Sequence, residues 1–227
     1  MRCLVIYVAG VMALASTALP ISAWAQVQPA GSAPPGYVLV EEDTVITFAN
    51  EARKSFRAAV ADFLNRRMRA AAAEIRKGAA YMKLEAARAS GDARKALMDS
   101  VQELEKLANE VQKAAVSDLN DLQNVFARAE YALARHHYLK AVELRTKGDA
   151  QKTGRELMSA ADYVDSGQVW LTQKMHEGVS DSVNEARRVA AKMVYGAGAT
   201  ADEVGKAFDG LGKELDKFRS SVAALKK

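Results

Sequence analysis

The sequence predicts an all-α protein, an antiparallel bundle of long helices in which apolar residues follow a heptad pattern. After residue 44 the chain has no proline, and alanine, leucine, glutamate, lysine and arginine, which are strong helix formers, dominate it. Apolar residues there recur in steps of three and four, the spacing of one face of a helix. A 15-residue segment also recurs 57 positions further on, which indicates a duplicated helical unit.

Four apolar stripes define most of the predicted helices, with a mean period of about 3.5 residues, as in long helical bundles. They are Leu97, Val101, Leu104, Ala108, Val111 and Ala115; Leu119, Leu122, Phe126, Ala129 and Leu133; Leu157, Ala161, Val164, Gln168, Leu171 and Met175; and Val204, Phe208, Leu211, Leu215, Phe218, Val222 and Leu225. We predict a long helix over 44–89, broken near Arg66 or Gly78. Further helices are predicted near 92–116, 118–146, 149–177, 182–195 and 201–225.

Helix ends are predicted from their turn chemistry. Gly91 and Gly148 are placed to end helices in the left-handed conformation, and Asp92 and Asp149 to N-cap the helices that follow. Ser117 or Asp118 is expected to begin the next helix. The spacing of two Ser/Thr–Glu pairs fits the capping box, and glycines are expected to close the preceding helices. These pairs and glycines are Ser182 with Glu185, Thr200 with Glu203, Gly178, Gly196 and Gly198.

The repeat joins two similar helix–turn–helix segments. YMKLEAARASGDARK (81–95) and YLKAVELRTKGDAQK (138–152) share the same residue at seven of fifteen positions. We interpret them as the joints of a duplicated helical hairpin, followed by a C-terminal helical hairpin. Short turns of this kind place consecutive helices side by side.

The first 43 residues differ from the rest. Residues 1–25 have one basic residue, an apolar run and the pattern Ala23-Trp24-Ala25, which predicts a secretory signal peptide cleaved after Ala25 and a periplasmic protein. The alternative is an uncleaved membrane anchor. Residues 26–43 contain three of the four prolines and are predicted to form a flexible arm, in which YVLV is either an extended strand or packed on the bundle. The bundle domain is predicted over 44–227.

Composition limits the chemistry of the mature chain. The only cysteine, Cys3, lies in the predicted signal peptide, so no disulfide or cysteine ligand is expected. Without Arg2 the chain has 31 basic and 28 acidic residues, which are mixed along its length. Nucleic-acid binding requires clustered basic residues and is not predicted; membrane contact is expected to be peripheral at most.

Three histidines are the candidate metal or haem ligands, with Met175 as a further one. His136 and His137 are adjacent on a predicted helix and should point about 100° apart, which disfavours a shared ion. The Glu-x-x-His pairs of di-iron bundles and the C-x-x-C-H haem motif are absent from the sequence. The prediction is therefore no cofactor and a histidine buried for structural reasons, with a metal or haem site through His136, His137 or His176 as the alternative.

Two segments are candidate interaction surfaces, because they carry aromatic and basic residues between the joints. They comprise Arg135, His136, His137, Tyr138, Tyr163 and Trp170. Asp162 and Asp165 lie three residues apart near Arg155 and are interpreted as a solvated ion-pair face rather than as a catalytic pair. No G-x-S-x-G, P-loop, G-x-G-x-x-G or H-E-x-x-H motif occurs.

Two family resemblances bear on function. The segment YLKAVELRTKGDAQKTGRELMSAADYV resembles a tetratricopeptide hairpin, with a period of 57 residues instead of about 34. The exported, cysteine-free, all-helical chain with its "GD…K" turns is similar to the YfdX family of bacterial periplasmic helical proteins. Either resemblance implies self-association or protein binding.

We therefore expect a non-catalytic protein of the bacterial cell envelope. It would act as a scaffold protein or as a stress-associated protein, by binding copies of itself or another envelope protein. A bundle that holds a small ligand, metal or haem is the alternative, and an unrecognised envelope enzyme is the third hypothesis.

Overall fold

The computed structural model describes residues 4–7, 37–40, 42–171 and 180–225, with side chains from residue 51 onward. The chain divides into two compact units, residues 1–47 and 48–227. In the first unit, strand β1 (Leu4–Tyr7) pairs antiparallel with strand β2 (Tyr37–Val40), with Leu4 opposite Val40. The YVLV run is thus a strand, one of the two forms that the sequence allowed. Cleavage after Ala25 would remove β1, so the strand pair belongs to the uncleaved chain.

The second unit is an all-α helical bundle throughout its described residues. Its helices are α1 (Glu42–Leu64, which begins in the first unit), α2 (Met68–Arg88), α3 (Gly91–Gln112), α4 (Leu119–Thr146), α5 (Ala150–Leu171), α6 (Asp181–Tyr195) and α7 (Ala201–Ala223). Each helix from α2 to α7 packs against the next along the chain, and α7 also packs against α4 and α5. Among the helices described, none is long and apolar enough to cross a membrane.

Most predicted helix boundaries are confirmed within a few residues. The long first helix breaks at Arg66, which has a positive φ of 58°, whereas Gly78 lies inside α2. Helix α3 ends at Gln112, short of residue 116, because Ala114 adopts a φ of 53° and Ala115 is exposed. The predicted end of α5 near 177, together with Gly178, lies outside the described residues.

The two "GD" turns are not equivalent, which corrects one prediction. Gly148 has a φ of 73° after α4, and the Asp149 carboxylate accepts a hydrogen bond from the Lys152 amide at 3.1 Å, as expected for a cap. Gly91 also has a positive φ, but α2 ends before it and α3 begins at it. Asp92 therefore lies inside the first turn of α3, and Ser90 occupies the N-cap position without a side-chain cap hydrogen bond.

The other caps follow local chemistry. Asp118 caps α4, and Thr200 with Glu203 forms the predicted capping box of α7. The capping box predicted for Ser182 and Glu185 is wrong, because Ser180 is the N-cap of α6 and Glu185 pairs with Arg188.

The core is formed by the predicted stripes. Leu97, Leu104, Leu122, Phe126, Leu133, Leu157 and Leu211 are fully buried, together with many small alanines. Helix α4 is central, because its buried residues pack towards several helices, as the stacking of Phe126 on Phe56 of α1 shows. Its second half brings His136 and His137 into the interior.

Candidate functional site

Six ionisable side chains from three helices meet inside the bundle. Glu85 and Arg88 come from α2, His136, His137 and Lys140 from α4, and Glu156 from α5. We call this group the ionic cluster. Its two carboxylates and two histidines are almost completely buried. Burying this many charges is costly unless each is paired, so the pairing decides what the cluster can do.

Glu156 is the most connected member of the ionic cluster. One of its oxygens, Oε2, lies 2.6 Å from Nδ1 of His137. The other, Oε1, accepts a hydrogen bond from Arg88 at 3.0 Å and lies 3.6 Å from the Lys140 ammonium group. Burial alone raises the pKa of this carboxyl, but the charge and hydrogen bond of His137, followed by Arg88 and Lys140, lower it to about 2. Glu156 is therefore ionised at neutral pH.

Arg88 links the two carboxylates. Its guanidinium group donates to both oxygens of Glu85, at 3.0 and 3.2 Å, as well as to Glu156. Burial raises the pKa of Glu85, but the contact with His136 and the charges of His137 and Arg88 outweigh it, so the pKa falls below its ordinary value. Arg88 thus ties α2 to α5 through one charge-assisted hydrogen bond, the one to Glu156, while its contacts with Glu85 stay within α2.

The two histidines have ring nitrogens with unused bonding capacity. Nε2 of His136 lies 3.4 Å from Oε2 of Glu85, without the geometry of a hydrogen bond, and burial lowers the pKa of this imidazole. Nε2 of His137 has no hydrogen-bond partner among the described residues either, and the ring stacks on Tyr163 with centroids 5.5 Å apart. Buried polar atoms without partners are uncommon in proteins and often mark sites of function.

A cavity of about 280 Å³ lies against the ionic cluster. We call it the turn cavity, because the turn between α2 and α3 forms one wall and α4 forms another. It is lined by Arg88, Ala89, Ser90, Asp92, Ala93, Arg135, His136, Leu139, Lys140 and Glu143. Helix α3 points its N-terminus here, where backbone N–H groups lack partners within the helix and Ser90 provides no side-chain cap.

Three basic side chains and two acidic ones, Asp92 and Glu143, line the turn cavity, and Arg135 is the basic one whose charge the ionic cluster does not balance. Arg88 and Lys140 reach it from the ionic cluster, and Arg135 has no carboxylate partner within the described part of the chain. Of the two acidic side chains in the lining, Glu143 is already paired with Lys147. The arrangement is suited to an anionic group, because guanidinium groups and free N–H groups at a helix N-terminus both bind carboxylate or phosphate oxygens.

Another buried carboxyl, Glu130, lies on α4 seven residues before His137, about two helical turns away along the same face. Its oxygens accept hydrogen bonds from the Ser166 hydroxyl and from Nε1 of Trp170, the latter at 2.8 Å. Burial raises the pKa of Glu130 to about 7, although both hydrogen bonds and the charge of Arg53 lower it. This group holds its proton over much of the range from pH 4.5 to 7.

Four of the six predicted interaction residues are buried, which corrects that prediction. His136, His137, Tyr163 and Trp170 lie in the interior, so none of them can contribute to an exposed interaction surface of this chain. Their aromatic rings are packed and their polar atoms face the ionic cluster or Glu130. Arg135 lines the turn cavity, and Tyr138 is half-buried, with its hydroxyl donating to the Phe208 carbonyl of α7 at 3.2 Å.

The structure changes the interpretation of the histidines. His136 and His137 are both buried, and with Glu85 each offers a ligand atom within 4.8 Å of the other two. Adjacent positions on a helix thus do not prevent the pair from sharing a site, because side-chain rotation brings the ring centroids to 5.2 Å. His176 and Met175 lie outside the described residues.

Asp162 and Asp165 form ion pairs, as predicted, but not with Arg155. Arg187 of α6 donates to Asp162 at 2.7 Å and to Asp165 at 2.8 Å. Both carboxylates are partly exposed. The arrangement fastens α5 to α6.

The sequence analysis missed Glu85, Glu156 and Glu130. One signal was present: each occupies a position of a buried stripe, as Glu85 does after Ile75, Gly78 and Met82 in steps of three and four. A charged residue on an apolar face must find a buried partner. Its partners lie on other helices and are distant in sequence, so the stripe alone could not name them.

The fold and the site together define an all-α helical bundle with a buried ionic cluster beside a basic cavity. No known protein-family model, curated protein or solved structure with which the chain was compared matches it. The resemblance to YfdX-type and tetratricopeptide proteins stays a prediction.

Proposed function

We propose that the protein is a non-catalytic binding protein of the bacterial cell envelope, which holds a small molecule with a carboxylate or phosphate group in the turn cavity. The observation that carries this proposal is the convergence of Arg135, Lys140 and the uncapped N-terminus of α3 on one cavity. This proposal corresponds to the alternative hypothesis of the sequence analysis, a helical bundle that holds a small ligand.

The ionic cluster supports binding by keeping the cavity wall in place. Arg88 and Lys140 are each held by Glu156, and Arg88 also by Glu85, so their positions are fixed before a ligand arrives. A preorganised site avoids the entropic cost of ordering side chains on binding. Glu85 and Glu156 thus hold basic side chains in position, a role that supports binding rather than acid–base chemistry.

The experiment is a calorimetric titration of the purified chain with inorganic phosphate and with succinate, after metal ions have been removed with a chelator and the chelator has been dialysed away. We expect saturable binding of at least one of the two anions. Arg135→Ala should weaken it about 10-fold to 100-fold, because a hydrogen bond to a charged group contributes about 1.5–3 kcal/mol.

Arg69→Ala is the matched control, since Arg69 is an exposed arginine of α2 that does not line the turn cavity. The control should bind as the unchanged chain does. Equal losses in both variants, or no saturable binding to the unchanged chain, would count against the proposal.

Self-association of the chain, or its binding to another envelope protein, stays a prediction. The large apolar side chains that are exposed, among the residues described, are Leu64, Met98, Leu139, Val142, Val169 and Tyr195. They are spread over five helices, and scattered exposed apolar residues are ordinary on a protein surface. Only Leu139 and Val142 are neighbours on one helix face.

A further inference from the structure

Two histidines and a carboxylate come together in the ionic cluster in a way that ion pairing alone does not explain. Glu85, His136 and His137 are all buried, and one ligand atom of each lies within 4.8 Å of the other two. Two imidazoles and a carboxylate form a common ligand set for Zn²⁺ and for related divalent transition metals. The ligand atoms of a tetrahedral ion with bonds of about 2.1 Å are about 3.4 Å apart. The distances between the three ligand atoms would therefore have to shorten by no more than about 1.5 Å to hold an ion.

The histidines present suitable nitrogens. Nδ1 of His137 is held by Glu156 at 2.6 Å, which leaves Nε2 for an ion, and that atom has no hydrogen-bond partner in the described part of the chain. A carboxylate on the far nitrogen is a common support of metal-binding histidines, because it fixes the ring and makes the other nitrogen more basic. His136 also has Nε2 without a hydrogen bond, and this atom lies 3.4 Å from Oε2 of Glu85.

From these observations we propose that Glu85, His136 and His137 bind a divalent transition-metal ion of the Zn²⁺ type. Glu156 acts as the positioning residue for His137. Arg88 does not prevent this, because it also contacts Oε1 of Glu85 and Glu156, so Oε2 of Glu85 can turn to the ion while Arg88 keeps two partners. The ion reaches the site through the turn cavity, which His136 lines.

A bound divalent ion would change the net charge of the ionic cluster. Glu85 and Glu156 balance Arg88 and Lys140, so a divalent ion adds two positive charges next to the turn cavity. This would strengthen anion binding there, but the metal site stands without the proposed function, because it needs only the three ligands.

The test is a titration of the chelator-treated full chain with Zn²⁺ in buffer without coordinating anions, followed by Co²⁺ as a spectroscopic probe. We expect one equivalent of Zn²⁺ per chain and, with Co²⁺, visible absorption bands that Zn²⁺ abolishes by competition. His136→Gln and His137→Gln should each remove this binding. Glu156→Gln should weaken it about 10-fold to 100-fold, as changes to supporting carboxylates do.

His176→Gln is the control, because it removes the third histidine of the chain and leaves the three ligands in place. Its affinity should equal that of the unchanged chain. Because buried substitutions can prevent folding, the unchanged chain is also studied by NMR with Co²⁺, where paramagnetic shifts should affect the rings of His136 and His137.

The proposal is overturned if the unchanged chain takes up no Zn²⁺ in a saturable way, or if the double variant His136→Gln/His137→Gln binds it as tightly as before. A paramagnetic shift of the His176 ring alone would also overturn it. Since the anion titration uses the metal-free chain and the metal titration uses buffer without coordinating anions, each proposal can fail while the other holds.

Discussion

Asp99 and Glu156 occupy equivalent positions of the repeat, 57 residues apart, yet their surroundings are opposite. Asp99 is exposed and pairs with Lys95 on its own helix at 3.0 Å. Glu156 is buried and contacts Arg88, His137 and Lys140. Exposed pairs within a helix contribute little to stability, whereas a buried charge depends on its partners. The two copies of the hairpin therefore contribute different parts of the site: the first supplies Glu85, Arg88 and one wall of the turn cavity, and the second supplies Glu156.

Two of the buried carboxyls, Glu130 and Glu156, respond to pH in opposite directions. The pKa of Glu156 is lowered to about 2, so its stabilising contribution is present above 4.5 and is lost as the pH falls towards 2. The pKa of Glu130 is raised to about 7, so its contribution is complete below 4.5 and is lost as the pH rises through 7. Of these two carboxyls, only Glu130 titrates between pH 5 and 8.

We predict that Glu130→Gln removes this pH dependence. From about pH 5 to pH 8 the unchanged chain should lose roughly 2–3 kcal/mol of unfolding free energy through Glu130, because only the folded form keeps the proton in that window. The amide cannot titrate, so the stability of the variant relative to the unchanged chain should rise by that amount. Urea unfolding followed by circular dichroism at both pH values measures the difference.

The control for this prediction is Glu105→Gln, since Glu105 is about half exposed in a surface pair with Lys83. Its stability relative to the unchanged chain should be nearly constant with pH. Parallel pH profiles for Glu130→Gln and the unchanged chain would show that Glu130 is ionised in the folded protein at pH 5.

Between elements, the closest packing is made by glycines. A Cβ atom on Gly154 of α5 would lie 2.7 Å from the Ala190 carbonyl oxygen of α6, and that atom belongs to a backbone that cannot swing aside. Gly205 of α7 has nothing within 4 Å of such a Cβ atom. One glycine therefore permits two helices to approach, and the other has no such role.

We predict that Gly154→Ala destabilises the bundle by about 1–3 kcal/mol, because the two helices must separate to admit the methyl group. Gly205→Ala should instead stabilise it by up to about 1 kcal/mol, since alanine is the better helix former. Urea unfolding of both variants provides the measurement. A Gly154→Ala variant as stable as the unchanged chain would mean that α5 and α6 are further apart than described.

Helices and their ends could be predicted from the sequence where residues close together in the chain determine them. The stripes predicted the helices, and Asp118, Asp149 and Thr200 predicted their caps, because these signals depend on residues a few positions apart. In the Gly91–Asp92 turn the prediction was wrong at both residues: Gly91 begins α3 instead of ending α2, and Asp92 lies inside α3 instead of capping it. A positive φ is compatible with the start of α3 as well as with the end of α2.

For the whole molecule, the site was less predictable than the fold. His136, His137 and Arg135 were identified as candidates, but Glu85, Arg88 and Glu156 are brought to them from α2 and α5 by packing between helices. Tyr163 and Trp170 could be either core residues or interface anchors on the sequence alone, and the structure buries both. A stripe shows which face of a helix is buried, but not which face of another helix it meets.

The central claim is that the turn cavity binds a small anion, and NMR of the unchanged chain during titration with phosphate and succinate tests it most directly. We predict saturable shifts of the Ala93 amide and of the Arg135 side chain, because both line the cavity, with no shift at Ala114, which follows the far end of the 22-residue helix α3. Shifts that stay linear with anion concentration, or that are as large at Ala114 as at Ala93, would contradict the account.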